Sequence, residues 1–140
     1  ARPGGTLIAT GGCFDLLHAG HVATLESARA LGDRLVVLVN SDASVRRLKG
    51  PGRPVVPAAD RVRVLEALDC VDAAVVFDDD DPREALAHLR PDVWVKGGDY
   101  AVEDLPEAEV VAAHGGRTVV VPYLAGRSTT SILERVESIA

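Results

Sequence analysis

Thr6-Leu7-Ile8-Ala9-Thr10-Gly11-Gly12-Cys13-Phe14-Asp15-Leu16-Leu17-His18-Ala19-Gly20-His21 starts as an apolar strand and ends as the first turn of a helix. Thr6 to Thr10 reads as a short buried strand. Gly20 to Leu31 reads as a helix, with Val22, Leu25 and Ala28 on one face at spacing three. Gly32 stops that helix, as a glycine placed just after a helix often does. A strand, a glycine turn and a helix in immediate succession begin an alternating α/β chain.

The alternation continues outward. Arg34 to Asn40 is a second strand rich in valine and leucine, and Asp42 to Leu48 suits a short helix. Lys49-Gly50-Pro51-Gly52-Arg53-Pro54 is a loop by composition. Ala58 to Leu68 is a third helix with Val62, Leu65 and Leu68 in register, and Ala73 to Phe77 a third strand. Pro82 suits the first turn of the next helix. Pro91 to Val95 is a fourth strand, Leu105 to His114 contains a helix, and Thr118 to Val121 is a fifth strand. Ser128-Thr129-Thr130 opens a last helix carrying Ile132, Val136 and Ile139. Continuous valine runs suit strands covered on both faces, hence a parallel sheet. The pattern predicts a Rossmann-like, doubly wound α/β fold: a five-stranded parallel sheet with helices on both faces.

The 140 residues fit one domain spanning 1–140, and an apolar content of 47% is enough to fill its core. A formal net charge of −6 disfavours a general nucleic-acid binder, which needs surplus cations to displace counterions. Cys13 and Cys70 form no CxxC pattern or disulfide framework, which suits a reducing, cytoplasmic compartment. No apolar run approaches the roughly 20 residues that span a bilayer, and no signal peptide is visible. The chain begins with alanine, as a processed protein or a piece of a longer one does.

In doubly wound sheets, ligands sit at the carboxyl ends of the strands. The candidate residues follow strands. Glycines after the first strand let the backbone approach a ligand, and a helix starting near Gly20 offers N–H groups and a positive dipole end to phosphate. His18 and His21, three apart, share one side of that turn and can donate hydrogen bonds to charge growing in a transition state. Each histidine alone has a plainer explanation as a helix cap or surface residue. A zinc pair lacks companion ligands, so no metal site is expected of the protein. A dinucleotide loop lacks GxGxxG and an acidic ribose ligand after Asn40-Ser41-Asp42.

Gly12-Cys13-Phe14-Asp15-Leu16-Leu17-His18-Ala19-Gly20-His21 resembles the signature of the HxGH nucleotidyltransferase superfamily. More narrowly, the chain resembles adenylyltransferase domains that make ADP-heptose from D-glycero-β-D-manno-heptose 1-phosphate. Supporting segments are Leu31-Gly32-Asp33-Arg34-Leu35, Val39-Asn40-Ser41-Asp42-Ala43-Ser44, Arg47-Leu48-Lys49-Gly50 and Arg53-Pro54-Val55. Val95-Lys96-Gly97-Gly98-Asp99-Tyr100 and Gly126-Arg127-Ser128-Thr129-Thr130 complete a likeness over residues 6 to 139. HxGH alone recurs by chance; the full ordered set is specific.

The resemblance implies transfer of AMP from ATP, with in-line attack by the sugar 1-phosphate, departure of pyrophosphate and Mg²⁺ bridging phosphate oxygens. It implies that His18, His21 and Lys49 are catalytic. It places Thr10, Gly12, Cys13, Phe14, Gly20, Lys96, Gly97, Gly98, Asp99, Ser128 and Thr129 with the histidines against the nucleotide. Asp15 braces the motif loop. Lys49, Arg53, Arg61 and Arg127 are candidates for the substrate phosphate; apart from the resemblance, Lys49 and Arg61 read as exposed charges. The resemblance also implies small-molecule substrates, a homodimer, and fusion to or cooperation with a sugar kinase. Relatives acting on glycerol 3-phosphate carry an arginine where this chain has Tyr123, which weakens a polyol-phosphate cytidylyltransferase reading. A non-catalytic nucleotide-binding module is the alternative of another class, and the retained histidines, Lys49 and Ser128-Thr129 argue against it.

Other features read plainly. Asp78-Asp79-Asp80-Asp81 is an acidic solvated turn lacking the spaced ligands of a calcium loop. Trp94 alternates with valines as a core residue, Cys70 is a small buried hydrophobe, and His88 and His114 are isolated.

Overall fold

The computed structural model describes residues 5–122. In chain order the elements are β1 (Leu7–Gly12), α1 (Ala19–Arg29), β2 (Arg34–Asn40), α2 (Asp42–Lys49), α3 (Ala58–Glu66) and β3 (Ala73–Phe77). Then come α4 (Arg83–Leu89), β4 (Val93–Gly97), a 3₁₀ turn at Val102–Asp104, α5 (Pro106–Ala113) and β5 (Arg117–Val121). The sheet order is β3-β2-β1-β4-β5, and every pairing is parallel. The chain winds outward from β1 to β3, then returns to place β4 on the other side of β1. The switch point between β1 and β4 is where such sheets open a crevice for ligands.

Period-two alternation sorts the strand residues onto two faces. Ile8, Val37, Val39, Val93 and Val95 pack on one side with Leu25 and Ala28 of α1 and Leu65 of α3. Ala9, Leu38 and Trp94 pack on the other with Leu86 of α4 and Val111 of α5. Leu25 and Trp94 are fully buried; removing a leucine side chain of that kind from water is worth about 2 kcal/mol. Trp94 is a core residue, as its alternation with valines implies. Its ring also explains Gly11: a Cβ there would lie 2.8 Å from the Trp94 Cη2 atom. Cys70 is only half-buried, at the margin of the first core.

Strand ends differ from the sequence-based expectation where pairing outlasts hydrophobicity. β1 runs on through Gly11 and Gly12, which pair with Leu38 and Val39. β4 begins at Val93 rather than Pro91 and continues through Lys96 and Gly97, opposite Val120 and Val121. Backbone bonding, which polar and glycine residues make as well as valine, decides these limits. The expected last helix, with Ser128 and Thr129, lies outside the described residues, as do Tyr123 and Arg127. No helix among the described residues is long and apolar enough to cross a membrane.

Candidate active site

The chain leaves β1 through a contorted turn. Phe14 and Leu16 both take positive φ, 49° and 46°, a left-handed backbone that costs a non-glycine residue about 1–3 kcal/mol. Asp15, between them, offsets this. Its carboxylate accepts from the Val55 and Val56 N–H groups and the Arg53 Nε, each at 2.9 Å. The side chain is 1% exposed. Burial pulls the Asp15 pKa upward, but the two backbone N–H groups and Arg53 outweigh it and hold the carboxyl below its usual range. Asp15 thus braces the loop, and it reaches a segment 40 residues away to do so.

The turn delivers His18 to the N-cap of α1. Its Nδ1 accepts from the Gly20 N–H at 3.1 Å, while the His21 Nδ1 accepts from the His18 N–H at 3.2 Å. The two rings lie 3.9 Å apart between centroids, and Phe14 packs behind His21 at 5.2 Å. A ring nitrogen that accepts carries no proton, so each neutral imidazole holds its proton on Nε2. Both rings are thereby set as Nε2–H donors. Burial lowers the pKa of both histidines; His21, further depressed by His18 despite Asp15, falls to about 4. One expectation changes: the Gly20 N–H is taken by His18, so imidazole N–H groups replace part of the free helix start.

Cations gather around Cys13. Burial raises its thiol pKa against the pull of Lys49, Arg61 and Arg53, which all act on it. Lys49, the last residue of α2, is exposed. Arg53 is half-buried on Asp15. Arg61 departs from the reading of it as an exposed helix charge. It is 2% exposed, and each of its guanidinium nitrogens bonds to the protein itself. A guanidinium spent in this way has little left for a phosphate. The available signal was its place four residues before Leu65, in the buried stripe of α3.

Thr10 is likewise committed internally: it is 1% exposed, and its hydroxyl donates to the Val95 carbonyl at 2.7 Å, locking β1 to β4. Gly12 faces the Phe14 ring, 3.3 Å from where its Cβ would sit. Lys96, Gly97, Gly98 and Asp99 end β4 across the switch point. Gly98 has φ +132°, and its N–H donates to the Val121 carbonyl at 2.8 Å. The Lys96 ammonium lies 5.3 Å over the Tyr100 ring. Asp42 and the Val55–Val56 backbone escaped the sequence reading, because nothing local marks a residue as the partner of a distant carboxylate or guanidinium. Among the described residues, no three of His, Cys, Asp and Glu gather as a metal site.

A doubly wound sheet whose first crossover carries His18-Ala19-Gly20-His21 at the switch point defines an HxGH-type nucleotidyltransferase fold. The chain belongs to the cytidylyltransferase-like family, whose model matches residues 9–135. It is 68% identical to the bifunctional protein HldE of Streptomyces coelicolor over 131 residues, 94% of this chain and 28% of that protein. The bifunctional protein HldE of Syntrophotalea carbinolica is 53% identical over 135 residues, covering 96% of this chain and again 28% of the relative. The chain therefore spans little more than a quarter of these relatives. Among solved structures, the lipopolysaccharide core biosynthesis protein from Thermoplasma volcanium superposes with a TM-score of 0.69 at 28% identity, covering 86% of this chain and 98% of that one.

Proposed function

We propose that this chain is an adenylyltransferase that transfers AMP from ATP to D-glycero-β-D-manno-heptose 1-phosphate, releasing ADP-heptose and pyrophosphate. The observation that carries this reading is the pair of Nε2–H donors at the start of α1, beside the switch point. The likeness to the HldE proteins supports the sugar substrate.

In this mechanism a phosphate oxygen of the sugar attacks the α-phosphorus of ATP in line, forming the new P–O bond as the bond to pyrophosphate breaks. His18 and His21 donate Nε2–H bonds to phosphate oxygens as negative charge builds on them. Being neutral, they donate these hydrogen bonds without bringing a formal charge of their own. Lys49 and Arg53 offset phosphate charge from the loop side. Cys13 and Phe14 present backbone to the nucleotide, and Lys96 to Asp99 line its base and ribose. Mg²⁺ carried on the triphosphate would offset the negative charge of its oxygens.

A sugar kinase, fused or separate, supplies the 1-phosphate, in keeping with relatives named bifunctional. The resemblance also implies a homodimer, which sedimentation at twice the chain mass would show. Incubation with Mg·ATP and the heptose 1-phosphate is expected to release pyrophosphate, and a panel of the four nucleoside triphosphates is expected to favour ATP. Release only with CTP and a polyol phosphate would transfer the assignment to a cytidylyltransferase.

A further inference from the structure

Hydrogen bonds close a circuit under the site. The Arg61 Nη1 donates to the Cys13 carbonyl at 2.6 Å and to the Asn40 carbonyl at 2.8 Å, joining the end of β2 to the loop after β1. Its Nε donates to the Val56 carbonyl at 2.9 Å. The Val56 N–H in turn donates to Asp15 at 2.9 Å, two residues beyond Cys13. Val56 is thus gripped on both sides of its backbone, and the path Cys13–Arg61–Val56–Asp15 returns to its start through the chain. A branch leaves this circuit: the Arg61 Nη2 donates to the Asp42 Oδ1 at 2.8 Å, and the same oxygen accepts from the Ala58 N–H at 2.8 Å. Asp42 is the first residue of α2, and Lys49 is the last.

We propose that Arg61 is a positioning residue of the transfer site, acting through the Cys13 carbonyl and Asp42 to set the histidine-bearing loop and the Lys49-bearing helix in one register. The proposal rests on the nucleotidyl-transfer reading for its kinetic consequence alone. The physical case is the shape of the guanidinium. It is a planar fork whose donors leave in fixed directions, and here they meet four acceptors on three stretches of chain: Cys13, Asn40 with Asp42, and Val56. A lysine ammonium carries the same charge but radiates its donors from one point, and cannot span them. A cation that served a phosphate by charge would tolerate lysine; a brace would not. Misplacing reacting groups by about 1 Å costs about a hundredfold in rate.

The test compares R61K with the unaltered protein in kinetics, thermal unfolding and the ¹⁵N spectra of the imidazoles of His18 and His21. For R61K we expect kcat for pyrophosphate release to fall about 10–100-fold, with KM for the sugar phosphate within about threefold. The imidazole signals should shift from a single Nε2–H form toward a mixture. D42N, which keeps an acceptor oxygen at a half-exposed position, should move kcat and spectra the same way by a smaller factor. A raised KM for the sugar phosphate with unchanged kcat in R61K would make Arg61 a substrate contact and overturn the proposal. So would unaltered kcat and spectra. Should R61K not fold, D42N decides: unaltered kcat and imidazole spectra refute the brace. If the unaltered protein releases no pyrophosphate from any nucleoside triphosphate, the transfer reading falls, while the spectra still judge the brace.

Discussion

Two acidic turns follow strands at the same edge of the sheet, one after β1 and one after β3. The first has a single carboxylate, Asp15, which is 1% exposed and accepts from three groups of a distant segment. The second has four, Asp78 to Asp81, and dominates the eye in the sequence. Its contacts are real: Ser41 Oγ donates to Asp78 at 2.5 Å, Arg47 Nε to Asp80 at 2.8 Å, and Arg83 Nη2 to Asp81 at 2.9 Å. They tie the turn to α2 and start α4. Yet Arg47 and Asp80 are 47% and 62% exposed, so water competes for each charge and the attraction between them is weak. Solvent access, not the number of charges, separates a buried brace from a surface decoration.

The largest effect should come from breaking the buried side. Asp15→Ala leaves Arg53 and two backbone N–H groups without their acceptor, and removes what offsets the strained Phe14 and Leu16. Urea unfolding should show a loss of about 3 kcal/mol, with pyrophosphate release falling alongside. A midpoint equal to that of the unaltered protein would erase the contrast between the turns.

Next in size is His18→Ala, which removes one donor and the helix cap. Expected is a fall in kcat of about two to three powers of ten, against a stability loss of only about 1 kcal/mol. Full-rate turnover would rule out transition-state stabilisation by this ring.

A smaller effect on the buried side is read by pH. His21 has its pKa lowered from 6.5 to about 4 in the folded state. The unfolded chain therefore binds more protons over that window, and stability is complete above about 6.5 and lost as pH falls toward 4. Asp15, also depressed, adds a loss that begins lower, as pH falls below the ordinary carboxylate range. Denaturation midpoints of His21→Asn should vary less with pH between 6.5 and 4 than those of the unaltered protein. Equal slopes in the two proteins would mean that His21 is not held neutral.

The smallest change belongs to the exposed turn. Arg47→Ala should leave the thermal midpoint within the scatter of the unaltered protein and turnover unaffected, since the ion pair it removes is open to solvent. A clear drop in either would mean that the second turn carries load the geometry does not show.

The strands and helices were legible because burial imposes its period on the sequence. Ile8, Val37 and Leu25 announce their faces by spacing alone. The HxGH turn was legible as well, since a strand, two glycines and two histidines in that order leave few other uses. The burial of Arg61 was hidden, because charge suggests solvent unless the acceptors are in view, and these lie on three stretches of chain: Cys13, Asn40 with Asp42, and Val56. The use of the Thr10 hydroxyl was hidden for the same reason: the Val95 carbonyl that takes it lies 85 residues on.

By itself, then, the sequence determined the alternation of elements, the parallel sheet and the place of His18 and His21 at the start of α1, because these follow from local propensity and the period of burial. Tertiary structure alone decided which polar side chains are free to meet a ligand. A donor or acceptor is spent only when a partner reaches it in space, and folding brings such partners from distant stretches, as it brings Val95 to Thr10, Val55 to Asp15 and Cys13 to Arg61.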